Sequence, residues 1–556
     1  MMGPKKIVTK VAIVGAGPVG LSLAIDLGSR GVDCVVLEQG NGHVDHPRAG
    51  LMSVRTMELF RHWGISEAVR TSGFPDDFAL SIEFCTSISG HTLARDEYPS
   101  IRDMPLPSWS PEKKQRCPQH WLDPVLKRAL RDRPRAAVLY GTSVEDFVQD
   151  GQSVTVVGRN TINGEAIEVH ADYLVGCDGA SSVVRSKMGI SMEGKGHLNY
   201  SMSVLFSCPD LLNASGKAAA ERFLLLGPEG TWGNLTVIDG REVWRLTVYG
   251  NASKFDMEVF NAAEWVKRAL GSETIPFQII SMLPWKRSEL VAKSYHLGRV
   301  LIAGDAAHTM SPTGGMGMNT GLGDVFDLGW KLQALVQGWG GPELLPSYTA
   351  ERRPIAERNA AYSTKNYATW VSPPPCPQLL DDTVEAEFAR KKLGQAMKQA
   401  TQYEWQSWGL QMGYRYESSP ICICDGTDPT PDDYSVYVPS ARPGSRAPHF
   451  WLGLGRSVID LFGSGFVLLD FDGRGDEVVA LADAAEATNF PLTVHKIRDK
   501  AAAILYEAPL VLVRPDGHVA WRGSRIIEPS CMVQTVSGNG CRALADTEVK
   551  VNGMHS

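Results

Sequence analysis

The chain has 556 residues, is 43% hydrophobic and 21% charged, and carries a formal net charge of −7. The length exceeds one ordinary domain and fits about two to four, and the composition is that of a soluble globular protein. The acidic balance offers no basic field to nucleic acid, and no apolar run approaches the roughly 18 residues of a bilayer span.

The start, Met1-Met2-Gly3-Pro4-Lys5-Lys6, leads directly into a strand pattern with no cleavage region, which argues against a signal peptide. Val11-Ala12-Ile13-Val14 predicts a buried parallel strand. Gly15-Ala16-Gly17-Pro18-Val19-Gly20 makes a tight turn, residues 21–31 have helical periodicity, and Cys34-Val35-Val36-Leu37 forms the next strand, closed by Glu38. This is a βαβ nucleotide-binding unit with its fingerprint in context. Gly15, Gly17, Pro18 and Gly20 let backbone and helix N–H groups reach a pyrophosphate, and Glu38 can accept from ribose hydroxyls.

Further helices are expected over 54–63 and 121–131, with a loop over 100–118 and a third buried strand at Tyr173-Leu174-Val175-Gly176-Cys177. From about 200 to 282 short alternating runs predict antiparallel strands around a helix at 262–270. Val300-Leu301-Ile302-Ala303 returns to the buried-strand pattern. It leads into Gly304-Asp305-Ala306-Ala307-His308 and then Pro312-Thr313-Gly314-Gly315-Met316-Gly317-Met318-Asn319. Asp305 can accept from a ribityl hydroxyl, or it caps a helix. Gly314, Gly315 and Gly317 permit backbone beside a flat ring, and a helix starting near Asn319 or Thr320 aims its positive end there. A dinucleotide held at two such distant places points to FAD. Helices are predicted over 321–336 and 348–368, a break at Pro373-Pro374-Pro375, and a separate unit after about residue 439.

Ten cysteines are scattered, with only Cys422-Ile423-Cys424 close together. Neither a disulfide framework nor a metal site is expected, and a reduced, cytoplasmic protein is the reading.

Three of these segments resemble, in order, the fingerprints of the single-component FAD-dependent aromatic hydroxylases, the class of phenol hydroxylase and p-hydroxybenzoate hydroxylase. They are the glycine turn with Glu38, the run Tyr173-Leu174-Val175-Gly176-Cys177-Asp178-Gly179-Ala180-Ser181-Ser182-Val183-Val184-Arg185, and the run Arg299-Val300-Leu301-Ile302-Ala303-Gly304-Asp305-Ala306-Ala307-His308. The resemblance covers about residues 8–370. It implies an α/β architecture: a Rossmann-like FAD-binding domain (8–80, 110–190, 290–370) with an inserted, mainly antiparallel substrate sheet (81–109, 191–289). A helical connector (371–435) follows, and the C-terminal unit (436–545) resembles the thioredoxin-like domain of the phenol hydroxylase branch in Ser440-Ala441-Arg442-Pro443-Gly444-Ser445-Arg446-Ala447-Pro448 and Arg514-Pro515-Asp516-Gly517, without CxxC. The resemblance further implies that Arg48 and Gln119 touch the flavin, that Asp178 and Arg185 form a dual-function motif, and that Pro312, Gly315, Gly317, Met318 and Asn319 lie against the isoalloxazine. Met316 stands where many relatives carry glutamine.

The implied reaction is hydroxylation of a simple or polycyclic phenol through a flavin C4a-hydroperoxide. NADPH or NADH and O2 are co-substrates, and a homodimer is the possible assembly. No catalytic residue is singled out. His308, Pro312 and Tyr249 are weak candidates, and His43, His46 and Tyr200 are further sources of a base. Arg222, Arg241 and Arg245 could recognise a substrate carboxylate, and Phe223, Trp232, Trp244, Tyr249 and Phe277 are sheet core or pocket wall. A flavin reductase without oxygen insertion, and a non-catalytic flavin-bound sensor, are the alternatives.

Overall fold

A computed structural model describes residues 4–250 and 252–541. The strand Lys5–Val14 pairs in parallel with Cys34–Glu38 and with Ala166–Gly176. Val11, Ala12 and Ile13 are fully buried, because helices cover a parallel sheet on both faces. Val300–Ile302 and Ala136–Tyr140 extend the sheet in parallel. Register brings the three glycine-bearing segments together: Val14 pairs with Gly176, and Gly176 with Ile302. Residues 15–20, 177–185 and 303–308 therefore leave the same edge of the sheet, at the carboxyl ends of its strands, where α/β sheets bind ligands.

An eight-stranded second sheet runs in the order His308–Thr309, Gln278–Ala292, Met192–Ser207, Val243–Tyr249, Gly230–Val237, Arg222–Gly227, Ile82–Cys85, Thr92–Asp96. Its pairs are antiparallel except that Arg222–Gly227 runs parallel to Ile82–Cys85. Period-two alternation gives it two unlike faces. Phe223, Leu235, Val237, Trp244, Leu246 and Val248 pack with the helix Ala262–Leu270 in one apolar cluster. Arg222, Asn234, Thr236, Arg245, Thr247 and Tyr249 alternate with them and so point to the other side, towards the first sheet's loops. Part of that second face is covered by the helices Leu344–Val371 and Val384–Trp405, through Leu224, Leu226, Trp370, Leu393 and Met397.

The C-terminal unit is a four-stranded sheet ordered Leu492–Lys496, Phe466–Asp470, Leu510–Val513, Val519–Gly523. The first pair is parallel and the others antiparallel. Its Arg514 is fully buried and reaches Glu351 at 2.6 Å, Asp327 at 2.9 Å and Asp516 at 2.5 Å. Residues 542–545, the end of the expected domain, lie outside the described residues.

Two expectations are corrected. Cys531 and Cys541 form a disulfide, with Cα atoms 5.5 Å apart. After the helix Pro529–Val536 the chain doubles back through Gly538 and Gly540, both at positive φ, a reversal that cysteine spacing alone does not reveal. The helix expected from Asn319 or Thr320 begins at Met316 and runs to Gln337, because Gly315 at φ 67° can end the turn there. Among the described residues no helix is long and apolar enough to cross a membrane.

Candidate active site

The N-terminal glycine turn is shaped by close backbone approach. A Cβ on Gly15 would lie 2.5 Å from the Cys177 carbonyl oxygen, and one on Gly20 would lie 2.0 Å from that of Gly15. Gly17 precedes the helix Pro18–Ser29 without a side-chain cap, and an added Cβ there would meet nothing within 4 Å. The helix thus presents uncapped N–H groups to open space, a cradle for a phosphate. Glu38 accepts from the N–H of Ala16 and of Gly40, each at 2.7 Å, and a carboxylate with about four lone-pair sites keeps capacity for ribose hydroxyls.

Asp178 accepts from Ser182 Oγ at 2.6 Å and from the N–H groups of Val183 and Val184 at 2.7 and 3.1 Å. It thereby holds the start of the helix Val183–Met188. Arg185 donates to the carbonyls of Ala306 and Ala180 at 2.8 and 3.0 Å, joining the middle segment to the third. Val19 sits where a Cβ on Gly304 or Gly321 would go, at 2.9 and 2.8 Å, so the first and third segments are packed against each other.

Asp305 opens onto the cleft between buried Gly304 and Ala306. Desolvation raises its carboxyl, with His308 and Arg48 opposing. It caps no helix: the short 3-10 turn Gly304–Ala306 has Ala303 at its cap. Exposed Arg48 and half-buried Gln119 are adjacent, the Arg48 N–H donating to Gln119 Oε1 at 3.2 Å. Pro312 is exposed and accepts from the Gly315 N–H at 3.0 Å. The N–H groups of Met316, Gly317 and Met318, in the first helical turn, have no intrahelical acceptor. Asn319 does not present its amide to the cleft. It donates to Leu51 and Gly315 carbonyls at 3.0 and 2.6 Å and accepts from Ser53 N–H and Thr56 Oγ1 at 2.9 and 2.6 Å.

The base candidates separate by position. His308 is fully buried, its Nε2 2.7 Å from Asp324. Burial alone would raise the Asp324 carboxyl, but His308 and Arg352, the latter at 2.8 Å, hold it below the usual range. That geometry makes His308 part of the support behind Gly304, whose N–H donates to the same Asp324. His43 lies in an exposed loop, and the Tyr200 ring lies tilted against His197, with centres 4.4 Å apart. His46 bonds Ser281 Oγ at 2.9 Å; desolvation, then Arg245 and Arg48, lower it to about 4. Tyr249 receives a hydrogen bond from Asn234 Nδ2 at 2.7 Å, and burial raises its phenol.

Four arginines stand on or beside the sheet face turned to the cleft. Arg245 donates to the carbonyls of Pro47 and Arg48 at 2.9 and 3.3 Å, and desolvation lowers it to about 10. Arg116 pairs with Glu221 at 3.1 Å. Arg287 donates to Ser311 Oγ at 2.5 Å and Asn199 Oδ1 at 3.1 Å and lies 3.8 Å from the Tyr367 ring centre. Arg222 lies over the rings of Trp370 and Trp405 at 5.2 and 5.4 Å, with Glu404 at 3.9 Å. Arg241, the remaining carboxylate candidate, is exposed in a turn held by Asp239. Arg287 and Glu404 carry no local sequence signal, because tertiary contacts with Ser311 and Gly314 bring them to this region. The aromatics divide: Phe223 and Trp244 are core, with Trp232 and Phe277 in the same cluster, whereas Tyr249 lies on the opposite face beside Tyr367 and Trp370.

An open helix N-terminus, an acid closing the next strand and a second glycine turn, joined at one sheet edge, are the parts that a dinucleotide-binding flavoprotein needs. Comparison with known proteins agrees. The FAD binding domain family matches residues 8–363, and the aromatic-ring hydroxylase C-terminal family matches residues 440–533. A putative polyketide hydroxylase of Streptomyces halstedii is 34% identical over 92% of this chain and 93% of that protein. The 2,4-dichlorophenol 6-monooxygenase of Delftia acidovorans is 31% identical over 94% and 96%. A solved structure of RebC with bound 7-carboxy-K252c superposes with a TM-score of 0.90, at 37% identity over 96% and 99% of the two chains. The chain belongs to the FAD-dependent aromatic-ring hydroxylases. It is a flavoprotein monooxygenase, of a class that takes electrons from NAD(P)H.

Proposed function

We propose that the protein hydroxylates a polycyclic phenol, with the ring lying between the polar face of the second sheet and the turn at residues 312–318. The observation that carries this reading is the sheet's alternation. Arg222, Asn234, Arg245 and Tyr249 turn polar and aromatic groups to the cleft while the opposite face is apolar core. A flat aromatic ligand whose hydroxyl or carbonyl groups meet these side chains suits such a wall. The names of relatives acting on polyketides, and of RebC with its fused-ring ligand, favour a polycyclic over a simple phenol.

In this reading Gly15, Gly17, Pro18 and Gly20 hold the FAD pyrophosphate and Glu38 a ribose. Arg48, Gln119 and Asp305 line the middle, and Asp178 and Arg185 brace the segments around them. Pro312, Gly315, Gly317 and Met318 face the isoalloxazine, with Asn319 anchoring the turn. The residues present fit the group: the Gly17 cradle is open and Asp305 reaches the cleft. FAD supplies hydride acceptance from NAD(P)H and oxygen activation. This chain's residues orient the ring, exclude water and hold the phenol's proton, for which Tyr249 and His46 are the candidates bordering the cleft. His308 serves as support.

The domain divisions set out from the sequence are kept as part of this proposal. A thioredoxin-like C-terminal unit is supported by its parallel pair, antiparallel hairpin and final helix. Cytoplasmic placement rests on the supply of NAD(P)H, and the Cys531–Cys541 pair stands against it. A homodimer rests on apolar Val384 and Phe388, exposed one turn apart.

The test is 18O2 turnover of the FAD-loaded protein with NADPH and a panel of polycyclic phenols. The expected result is phenol-stimulated NADPH oxidation with label in the product. Oxidation that yields only unlabelled product would favour the reductase reading.

A further inference from the structure

Of the ten cysteines only Cys531 and Cys541 are bridged. Cys531 lies in the helix Pro529–Val536 and is 6% exposed, whereas Cys541, just past Gly540, is half-buried. Gly538 and Gly540 between them stand at positive φ, and glycine gives up more conformational freedom on ordering than any other residue. Tying the end of such a loop back to its own helix removes much of that freedom in advance.

The loop grips the corner between the helices Met316–Gln337 and Leu344–Val371. The Ser537 and Gly538 carbonyls accept from the N–H groups of Gly341 and Glu343 at 2.8 and 3.0 Å, and Asn539 donates to the Trp339 carbonyl at 3.5 Å. The fit has no slack: a Cβ on Gly341 would lie 2.3 Å from the Gly538 carbonyl oxygen. Glu343 stands at the cap of the second helix, which has no side-chain cap of its own. The Gly538 carbonyl therefore satisfies an N–H that the helix start would otherwise leave open.

One and two turns further on, the same helix reaches the FAD site. Tyr348 donates to the Ile302 carbonyl at 2.9 Å. Arg352 holds Asp324 at 2.8 Å, and Asp324 accepts from the Gly304 N–H at 3.1 Å. Gly304 begins the turn that carries Asp305. One loop, one helix start and two side chains thus separate the bridge from the cofactor cleft.

We propose that the Cys531–Cys541 bridge is a thiol–disulfide exchange site that sets how firmly the protein grips FAD. Closed, it clamps residues 537–539 on the helix corner; opened by a dithiol, it frees the corner and loosens the Gly304–Asp305 turn. A thiolate of the dithiol attacks the sulfur of Cys541, the less enclosed partner. The S–S bond breaks, and Cys531 leaves as a thiolate that takes up a proton. The second thiol of the dithiol then displaces Cys541 and closes its own disulfide. Two electrons and two protons pass to the protein, and the dithiol is oxidised. The other eight cysteines are unpaired, the pattern of a reducing compartment, where a disulfide is transient or redox-sensing in ordinary cases. A single bridge with one half-buried partner fits that role better than a permanent staple.

The full-length, FAD-loaded protein is treated with dithiothreitol, freed of the reagent without air, and serially diluted. The fluorescence of released flavin gives the FAD Kd, and alkylation with mass spectrometry gives the thiols. Two further thiols, Cys531 and Cys541, become labelled, and the Kd rises about fivefold or more. Oxidised glutathione reverses both changes. Cys541→Ser holds FAD at the weaker level with or without dithiol. Gly341→Ala pushes the loop off with the bridge intact, so it also binds FAD weakly, and dithiol adds little. That variant and the untreated-against-reduced comparison keep the idea testable should Cys541→Ser fail to fold. The proposal is overturned by a Kd that stays constant once both thiols are labelled, or by a bridge that dithiol cannot open in the folded protein. A dithiol effect of equal size in Cys541→Ser, or wild-type affinity in Gly341→Ala, overturns it as well.

Discussion

At the residue scale, two glycines of one turn make separable predictions. Gly20 has no room for a side chain, since a Cβ would press on the Gly15 carbonyl oxygen at 2.0 Å. Gly17 has room and ordinary backbone, at φ −70°. Gly20→Ala must shift backbone, and strain of about 1–3 kcal/mol lowers both stability and FAD affinity. Gly17→Ala leaves the FAD-free protein's melting temperature where it was, but sets a methyl group where the pyrophosphate approaches and weakens FAD binding by about tenfold or more. Flavin fluorescence titration and apoprotein melting measure the two effects. Equal melting losses in both variants would contradict the assignment of Gly17 to the ligand.

The element that joins the two glycine turns is the helix Met316–Gln337. Glycines at 321, 323 and 329 weaken it by about 1 kcal/mol each as helix formers. Each is there because something must come close: Val19 and the Gly304 backbone at Gly321, Arg352 at Gly323, Asp26 at Gly329. Gly321→Ala places a Cβ 2.8 Å from Val19 and 3.0 Å from the Gly304 Cα. It prises the pyrophosphate helix from the Asp305 turn at a cost of about 1–3 kcal/mol. FAD affinity falls, and the pairing Gly321→Ala with Val19→Ala recovers part of it, a double-mutant cycle that detects the contact directly. No recovery would mean that the helix packing is not what joins the two ends.

The same element shows what was legible in the sequence. Local periodicity around residues 15–38 and 300–308 specifies strand, turn and helix, because a fully buried parallel strand and a glycine-bounded helix carry their pattern in adjacent residues. The helix start was misplaced by about one turn because Met316, Gly317 and Met318 read as loop glycine pattern until Gly315 is seen at positive φ. Glu404 and Arg287 were invisible because their role arises from tertiary contacts with Gly314 and Ser311, which no local pattern encodes.

For the whole molecule, the seam between the C-terminal unit and the rest is built from buried charge and buried histidine. Arg446 pairs with Glu58, Arg514 joins Asp327 and Glu351, and Arg55 donates to the Asp516 carbonyl at 2.8 Å. In the same seam His518 is 1% exposed, lies 4.2 Å from the Tyr416 ring, and is lowered to about 4 by desolvation, Asp516 opposing. His62, which packs against Gly463, and His449, bonded to Ser457 at 2.8 Å, are lowered to about 4 by the same cause. In the unfolded chain these rings take up protons near pH 6.5. Between there and about 4 the unfolded state holds protons that the folded state refuses. Stability is therefore full above about pH 6.5 and declines as pH falls through that window. A fully buried ring displaced this far is worth about 3 kcal/mol, and His62, only partly buried, contributes less. Asp516 gives a different signature: Arg514 and His518 hold it well below its usual range despite burial, so it weakens the fold only in stronger acid. Urea unfolding followed by tryptophan fluorescence should show a midpoint that drops steadily from pH 7 to pH 5, with His518→Gln removing part of the drop. A midpoint flat over that range, or an identical slope in His518→Gln, would show that these histidines do not hold the C-terminal unit in place.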